Sequence, residues 1–328
     1  MNYRTLGKTG FNVSEISLGT WQSGGKWGTH FSDRNSDQII NSAIDKGVNF
    51  IDTADVYNGG LSEVSVGRVI RSRSERIYIA TKCGRQISPH INSGYQPKVL
   101  KKFIEDSLKR TGLDTLDLVQ LHCPPPEVYY RPEIFETFDH LKEEGKILNL
   151  GVSVEKVDEA LKAIEYPNVA TVQIIFNLFR QKPAELFFGE AKRQNIGIIV
   201  RVPLASGLLT GLYNSGTVFE TGDHRYFNRQ GEAFDKGETF SGINYELGLK
   251  AVDALKSLFP DAKNLAPHAL QWILNFKEVS TIIPGASKVD QVHSNLSVFD
   301  LPALSPGQIL AMNNIYNQYI KKEVQNLW

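Results

Sequence analysis

Cysteine is nearly absent from this chain. Two thiols among 328 residues, Cys83 and Cys123, allow no disulfide framework, and free thiols suit the reducing cytoplasm, where the protein is expected to reside. An excess of charge of either sign is absent as well. Lys plus Arg and Asp plus Glu number 36 each, so no long-range field draws the chain to nucleic acid or to an anionic membrane, and neither partner is expected. Anionic ligands would have to be met by local donors. No stretch approaches the ~18 apolar residues of a membrane span, and the opening MNYRTLGKTG reads without the apolar core of a signal peptide.

Familiar signatures are missing too. No Gly-x-Gly occurs anywhere, which excludes the G-x-G-x-x-G dinucleotide fingerprint. There is no G-x-x-x-x-G-K-[ST] phosphate cradle, no H-E-x-x-H zinc helix and no G-x-S-x-G nucleophile turn, and no metal site is expected. What remains is an ordinary globular composition, 41% hydrophobic and 22% charged, in a chain long enough to bury roughly three-quarters of its unfolded surface.

Short apolar strands alternate with amphipathic helices. After a hairpin over 2–16 turned by GKTG, the strands fall at 16–19, 48–51, 77–81, 117–121, 147–152, 170–175, 197–201 and 279–284. The spacing predicts helices over 36–47, opening at a Ser-Asp cap, and over 62–72, 97–112, 131–146, 153–165 and 182–197. Eight repeats of strand and helix favour a closed α/β (β/α)8 TIM barrel over an open doubly wound sheet. No linker divides it, so 1–328 is read as a single domain, with an N-terminal β-hairpin and a C-terminal amphipathic helix over 305–328. Residues 205–245 are long, rich in Gly, Thr, Ser and Asn, and lack periodicity: a flap over a ligand or a plain insertion.

The ends of these strands are polar. Strand two ends in Asp52, three in Lys82, four in His122, five in Ser153 and seven in Arg201, while Gln173 interrupts strand six. In a parallel barrel the carboxyl ends of the strands share one face, where active sites are built. Alone, Asp52 reads equally as a cap and His122 as a satisfied core histidine. Asp, Lys and His on consecutive strands, with Tyr57 in the loop above, form a group with its own chemistry. A buried Lys82 needs a carboxylate, which Asp52 supplies. Its ammonium is expected to lower the pKa of the Tyr57 phenol, and His122 to orient a carbonyl oxygen. Such a site gives a proton to a developing alkoxide and requires a hydride donor that no side chain provides, so a nicotinamide cofactor is implied. The IIPGASKVDQVHSNL stretch offers a phosphate site at a helix start, with Gly285 for close approach, Ser287 as donor and Lys288 as cation, or simply a capped helix.

Six motifs, NFIDTADVYNGGLSE, IYIATKCG, DLVQLHCP, LGVSV, VPLASGLLTG and IIPGASKVDQVHSNL, together resemble the aldo-keto reductases over nearly the whole chain. That resemblance implies a (β/α)8 barrel reducing aldehydes and ketones with NADPH, NADH being the alternative coenzyme. Tyr57 is then the proton donor, Asp52 and Lys82 tune it, and His122 orients the carbonyl. Ser153 and Gln173 look like the carboxamide partners, and Gly19, Thr20 and Trp21 like the stretch at the nicotinamide half. Leu204, Ser206, Gly207, Leu209 and Gly211 resemble the loop around the pyrophosphate. Ser287, Lys288, Gln291 and Asn295 resemble the adenosine and 2′-phosphate subsite. Three departures stand out. Val154 follows Ser153 where many members have Asn. Arg201 stands where many stack an aromatic ring on the nicotinamide. Gln291 and Ser294 replace the common Arg and Glu near the adenosine. Trp21, Trp27, Tyr129, Tyr130, Phe227 and Trp328 are expected to rim the substrate pocket. The same barrel also serves in potassium-channel beta subunits, so a cofactor-binding regulatory subunit with little turnover is the rival reading. A Schiff-base enzyme using Lys82 is a third.

Overall fold

The computed structural model describes residues 1–25 and 30–328; Trp27 therefore lies outside the described residues. Two strands, β1 (Tyr3–Thr5) and β2 (Asn12–Ser14), form an antiparallel hairpin, with Tyr3 opposite Ser14. Eight parallel strands follow: β3 (Leu18–Gly19), β4 (Phe50–Asp52), β5 (Tyr78–Cys83), β6 (Leu116–His122), β7 (Ile147–Ser153), β8 (Val169–Ile175), β9 (Gly197–Arg201) and β10 (Val279–Ile282). Each pairs with its neighbour in sequence order. The first and last meet through the bridges Ile16–Ile282 and Gly19–Gly285, with Ser17 N–H donating to Ile282 O at 2.8 Å. The expected (β/α)8 barrel, N-terminal hairpin included, is what the chain forms.

The hairpin covers the amino-terminal end of the barrel. Leu6 and Val13 pack with Phe50, Ala80, Leu118 and Ile199, the inward residues of four strands. Arg4 fixes its position. One Nη donates to Phe276 O and Val279 O at 2.9 and 2.7 Å, and Nε meets Glu15 at 2.5 Å. The second apolar body lies outside the strands, where Ile51, Ile79, Val119 and Ile198 meet the helices. Strand residues alternate between the two bodies because successive side chains point to opposite faces.

The helices α1 (Asp33–Asp45), α2 (Leu61–Arg71), α3 (Pro97–Thr111), α4 (Pro132–Glu143), α5 (Val157–Ala163) and α6 (Phe187–Arg193) follow β3 to β8 in turn. α1 opens three residues before the expected boundary. FSDRNSDQ holds two Ser-Asp pairs, and it is the first whose Ser32 side chain accepts from Asn35 N–H. The irregular stretch after β9 holds only short turns and the one-turn α7 (His224–Phe227), then α8 (Tyr245–Leu258) and α9 (Ala266–Leu274). α10 (Val289–Leu296) follows β10. The C-terminal helix is not continuous. α11 (Pro306–Ile315), with a Ser305–Gln308 capping box, passes through a π turn at Tyr316–Ile320 into α12 (Lys321–Val324).

Gly67 sits inside α2, where glycine costs about 1 kcal/mol relative to alanine. Its position explains it: a Cβ there would lie 2.1 Å from Thr111 O and 2.4 Å from Thr111 Cα, backbone that cannot turn aside. Gly67→Ala is expected to destabilise the fold by roughly 1–3 kcal/mol as an overpacking change. The measurement is a lower urea midpoint at unaltered slope.

Candidate active site

Alternation along the strands makes the inner wall apolar below and polar above. Phe50, Ala80, Leu118 and Ile199 lie two residues before Asp52, Lys82, Gln120 and Arg201 on the same strands. Register sets Lys82 beside Gln120 and His122 beside Ser153, which in turn faces Gln173. Asp52 and Lys82 are 2% and 1% exposed. Lys82 Nζ donates to Asp52 Oδ1 at 2.5 Å, to Thr53 O at 2.8 Å and to Tyr57 Oη at 3.3 Å, filling its three donor positions. The other Asp52 oxygen accepts from Gln173 at 2.8 Å and Gln120 at 3.2 Å, and Gln173 also donates to Gln120 Oε1 at 3.2 Å. A buried ion pair keeps its charges only when the remaining lone pairs are satisfied, and the two glutamines satisfy them. The Asp52 backbone carbonyl is held as well, with Thr20 Oγ1 donating to Asp52 O at 2.9 Å.

Tyr57 reaches this pair from a tight turn. Asn58, Gly59 and Gly60 all have positive φ (50°, 64° and 92°), which reverses the chain into α2 directly after the phenol. The ring stands edge-on to His122, centroids 6.0 Å apart at 81°. Lys82 does act to lower the phenol pKa, as expected, but it does not set the net direction. Burial raises the pKa, Lys82 opposes this, Asp52 and Glu238 add to it, and the net direction is up from 10.0. Lys82 itself is raised. Its burial acts against the charge, but Asp52 and Tyr57 outweigh that. His122 is pushed well below 6.5 by burial, with Lys82, Arg85 and Arg201 adding to it. Its ring is neutral at pH 7, and its buried Nδ1 has no hydrogen-bond partner.

The residues matched to a cofactor lie along the neighbouring strand ends. Ser153 Oγ is 3.6 Å from Cys123 Sγ. Ser206 and Gly207 both adopt left-handed backbone (φ 55° and 91°), and Ser206 Oγ donates to Glu238 O at 2.7 Å. Leu209 is fully buried in the core, while Leu204 is partly buried and Gly211 ends the turn. Gly19 and Gly285 face each other across the barrel closure. Gln291 Oε1 accepts from Ser287 N–H at 2.7 Å at the start of α10, where Lys288 is exposed, and Asn295 is buried in the last turn of that helix. Two features leave room for a bound group: His122 Nδ1 is buried without a partner, and a Cβ at Gly285 would meet only Gly19 O, at 3.9 Å.

The aromatic residues expected at the rim have varied surroundings. Tyr129 is buried in the core, and Tyr130 is 69% exposed with its ring beside Lys162. Trp328 is buried against Arg180, 3.8 Å from guanidinium carbon to ring centroid. Trp21 packs on His224 with centroids 4.8 Å apart, and Phe227 lies against Phe234. Cys83 and Cys123 are buried. Burial pushes the first well above its usual range and the second up to about 11, so neither is a ready nucleophile.

A closed parallel barrel hosts many activities, and comparison with known proteins gives the class. The Aldo/keto reductase family model matches residues 15–317, and the chain belongs to that family, whose members act on carbonyl groups with nicotinamide cofactors. It is 30% identical over 303 residues to the aldo-keto reductase YhdN of Bacillus subtilis, covering 90% of this chain and 87% of that one. It is 28% identical over 325 residues to the uncharacterized oxidoreductase YqkF of the same organism, covering 98% and 99%. The solved glycerol dehydrogenase AKR11B4 from Gluconobacter oxydans superposes with a TM-score of 0.78 at 28% identity, covering 100% and 97%.

Proposed function

We propose that this protein is a cytoplasmic NADPH-dependent carbonyl reductase, with 1–328 as one functional unit, Tyr57 as proton donor and an aldehyde or ketone as substrate. The observation that carries the reading is the chain of contacts from Asp52 Oδ1 through Lys82 Nζ to Tyr57 Oη, at 2.5 and 3.3 Å, beside a neutral His122. A nicotinamide supplies the hydride when bound. His122 donates its one N–H to the carbonyl oxygen and holds it facing the phenol. Tyr57 gives its proton to that oxygen as negative charge develops there. Lys82, fixed by Asp52, stabilises the phenolate left behind. Ser153 and Gln173 would hold the carboxamide, and Gly19, Thr20, Trp21 and the 204–211 loop the pyrophosphate side. Ser287, Lys288, Gln291 and Asn295 would hold the adenosine end. The test is NADPH consumption with a panel of aldehydes and diketones. Tightly retained cofactor with negligible turnover of every carbonyl would favour the regulatory-subunit reading instead.

The pH profile follows from the two shifts. The acid form of Tyr57 is the active one and its pKa is raised, so it stays protonated through neutrality and activity falls only as pH rises above 10. His122, lowered, adds no transition near 6.5. The kcat for reduction is expected to be flat from about pH 6 to 9; a fall centred near pH 7 would contradict the assignment.

Coenzyme choice rests on Lys288, exposed at the start of α10. NADPH is expected to exceed NADH in kcat/KM, and equal efficiency with both would refute this. Lys288→Ala should lower kcat/KM for NADPH about tenfold with little change for NADH. One charge-assisted contact to a phosphate is worth about 1.5–3 kcal/mol, discounted for exposure.

A further inference from the structure

The space above the four side chains is lined by guanidinium groups. Arg201 ends β9, and Arg85 stands in the turn after β5, three residues beyond Lys82. An Arg201 Nη lies 3.6 Å from the sulfur of Cys123, the residue after His122, and both arginines approach Glu238 Oε1, so both lie at the reacting end of the barrel. Arg201 is 8% exposed. One Nη donates to Val154 O at 3.0 Å and the other meets Glu238 Oε1 at 3.2 Å, but its buried Nε has no partner. Arg85 is served less well. Its nearest carboxylate oxygens are Glu155 Oε1 at 3.6 Å and Glu238 Oε1 at 4.0 Å, and it makes no hydrogen bond among the described residues. A guanidinium presents five donors in a fork shaped for a carboxylate or phosphate. Two forks sharing one carboxylate oxygen leave an excess of donors in a largely buried place.

The shared acceptor is brought from a distant part of the chain. Glu238 closes the turn Lys236–Glu238 in the irregular segment between β9 and α8, tied down by the bond from Ser206 Oγ to its carbonyl. Its field reaches Tyr57 as well as the two arginines. A metal ion is a poor occupant here. Cys123, Glu155 and Glu238 do bring ligand atoms within 4.8 Å of one another. However, burial pushes the Cys123 thiol up to about 11 and the Glu155 carboxyl up to about 7, and two guanidiniums face the same space.

We infer that Glu238 occupies the place of a substrate's own anionic group, so that the carbonyl compound reduced here carries a carboxylate or phosphate, clasped by Arg85 and Arg201 while its carbonyl meets Tyr57 and His122. The substrate half of this statement rests on the reductase reading above; the anion site does not. Arg201, matched by resemblance to a ring-stacking position, acquires a second partner on this account.

Binding and turnover test the two halves separately. Succinate, which has no aldehyde or ketone to reduce, is titrated calorimetrically into the protein with and without NADPH. Arg85→Gln should weaken binding at least tenfold, and Glu238→Gln should tighten it at least threefold, because the competing carboxylate is gone. If Glu238 serves only to pin its loop, Glu238→Gln will weaken succinate binding or leave it unaltered, and either result overturns the proposal. In turnover, kcat/KM for 4-oxobutanoate should exceed that for its methyl ester at least tenfold. The same comparison of 2-oxoethyl phosphate with glycolaldehyde separates phosphate from carboxylate, and Arg85→Gln should shrink the preferred ratio at least fivefold. Equal efficiency for charged and neutral partners overturns the substrate class while leaving the reductase standing. No turnover of any carbonyl, with succinate binding as described, removes the reductase reading and keeps the anion site. Should Arg85→Gln fail to fold by circular dichroism, the Glu238→Gln titration decides alone.

Discussion

Tyr57→Phe lowers kcat for carbonyl reduction by about 10³-fold, within the 10²–10⁴ that a positioned general acid contributes. The substitution removes one oxygen and keeps the ring, which stays edge-on to His122. Lys82 loses its 3.3 Å partner but retains Asp52 and Thr53 O, so folding and coenzyme affinity are unaffected. The measurement is steady-state reduction beside a fluorescence titration with NADPH. The expected result is a Kd within about twofold of the parent and a collapsed kcat. A variant retaining more than a few per cent of the parent rate removes Tyr57 from the role of proton donor.

Lys82→Met acts on both rate and stability. The ammonium contacts Asp52, Thr53 O and Tyr57 in a site from which solvent is shut out. Without it the Asp52 carboxylate is a buried charge with only two amide donors, and breaking such a pair costs about 3–5 kcal/mol of stability. The phenolate formed as the proton leaves loses its counter-charge, a loss of about 10²–10³ in kcat by analogy with removal of one transition-state donor. The two effects separate in the double variant Asp52→Asn with Lys82→Met. Removing both charges should recover much of the thermal midpoint and none of the rate. Recovery of rate along with stability would show that Lys82 acts only through the fold.

Much of this was legible because period-two alternation and the shared direction of parallel strands are properties of sequence. Asp52, Lys82 and His122 were placed at one end of the barrel on those grounds, and all lie there with Tyr57 above them. Gln120 was missed, since a single glutamine in DLVQLH reads as an interruption of an apolar strand. Its parity with Leu118 and His122 is the signal that turns it inward toward Asp52. The sign of the Tyr57 shift was misjudged because a neighbouring charge is visible in sequence whereas burial is not. Burial of that kind also takes Tyr129 into the core. Glu238 had no chance of recognition. It lies in a stretch without periodicity and meets Arg201 and Arg85 only through the path of that loop in space. The start of α1 was ambiguous because two Ser-Asp pairs stand four residues apart, and only the backbone shows which one caps.

The most direct check on the account is the fate of a labelled hydride. NADPH carrying deuterium at both C4 positions of the nicotinamide is incubated with the protein and an aldehyde it reduces, and the alcohol is analysed by mass spectrometry. The account predicts one deuterium on the carbinol carbon and an exchangeable, solvent-derived hydrogen on the oxygen, both lost together in Tyr57→Phe. An alcohol formed without deuterium on carbon, or none formed from any aldehyde while NADPH stays bound, contradicts it.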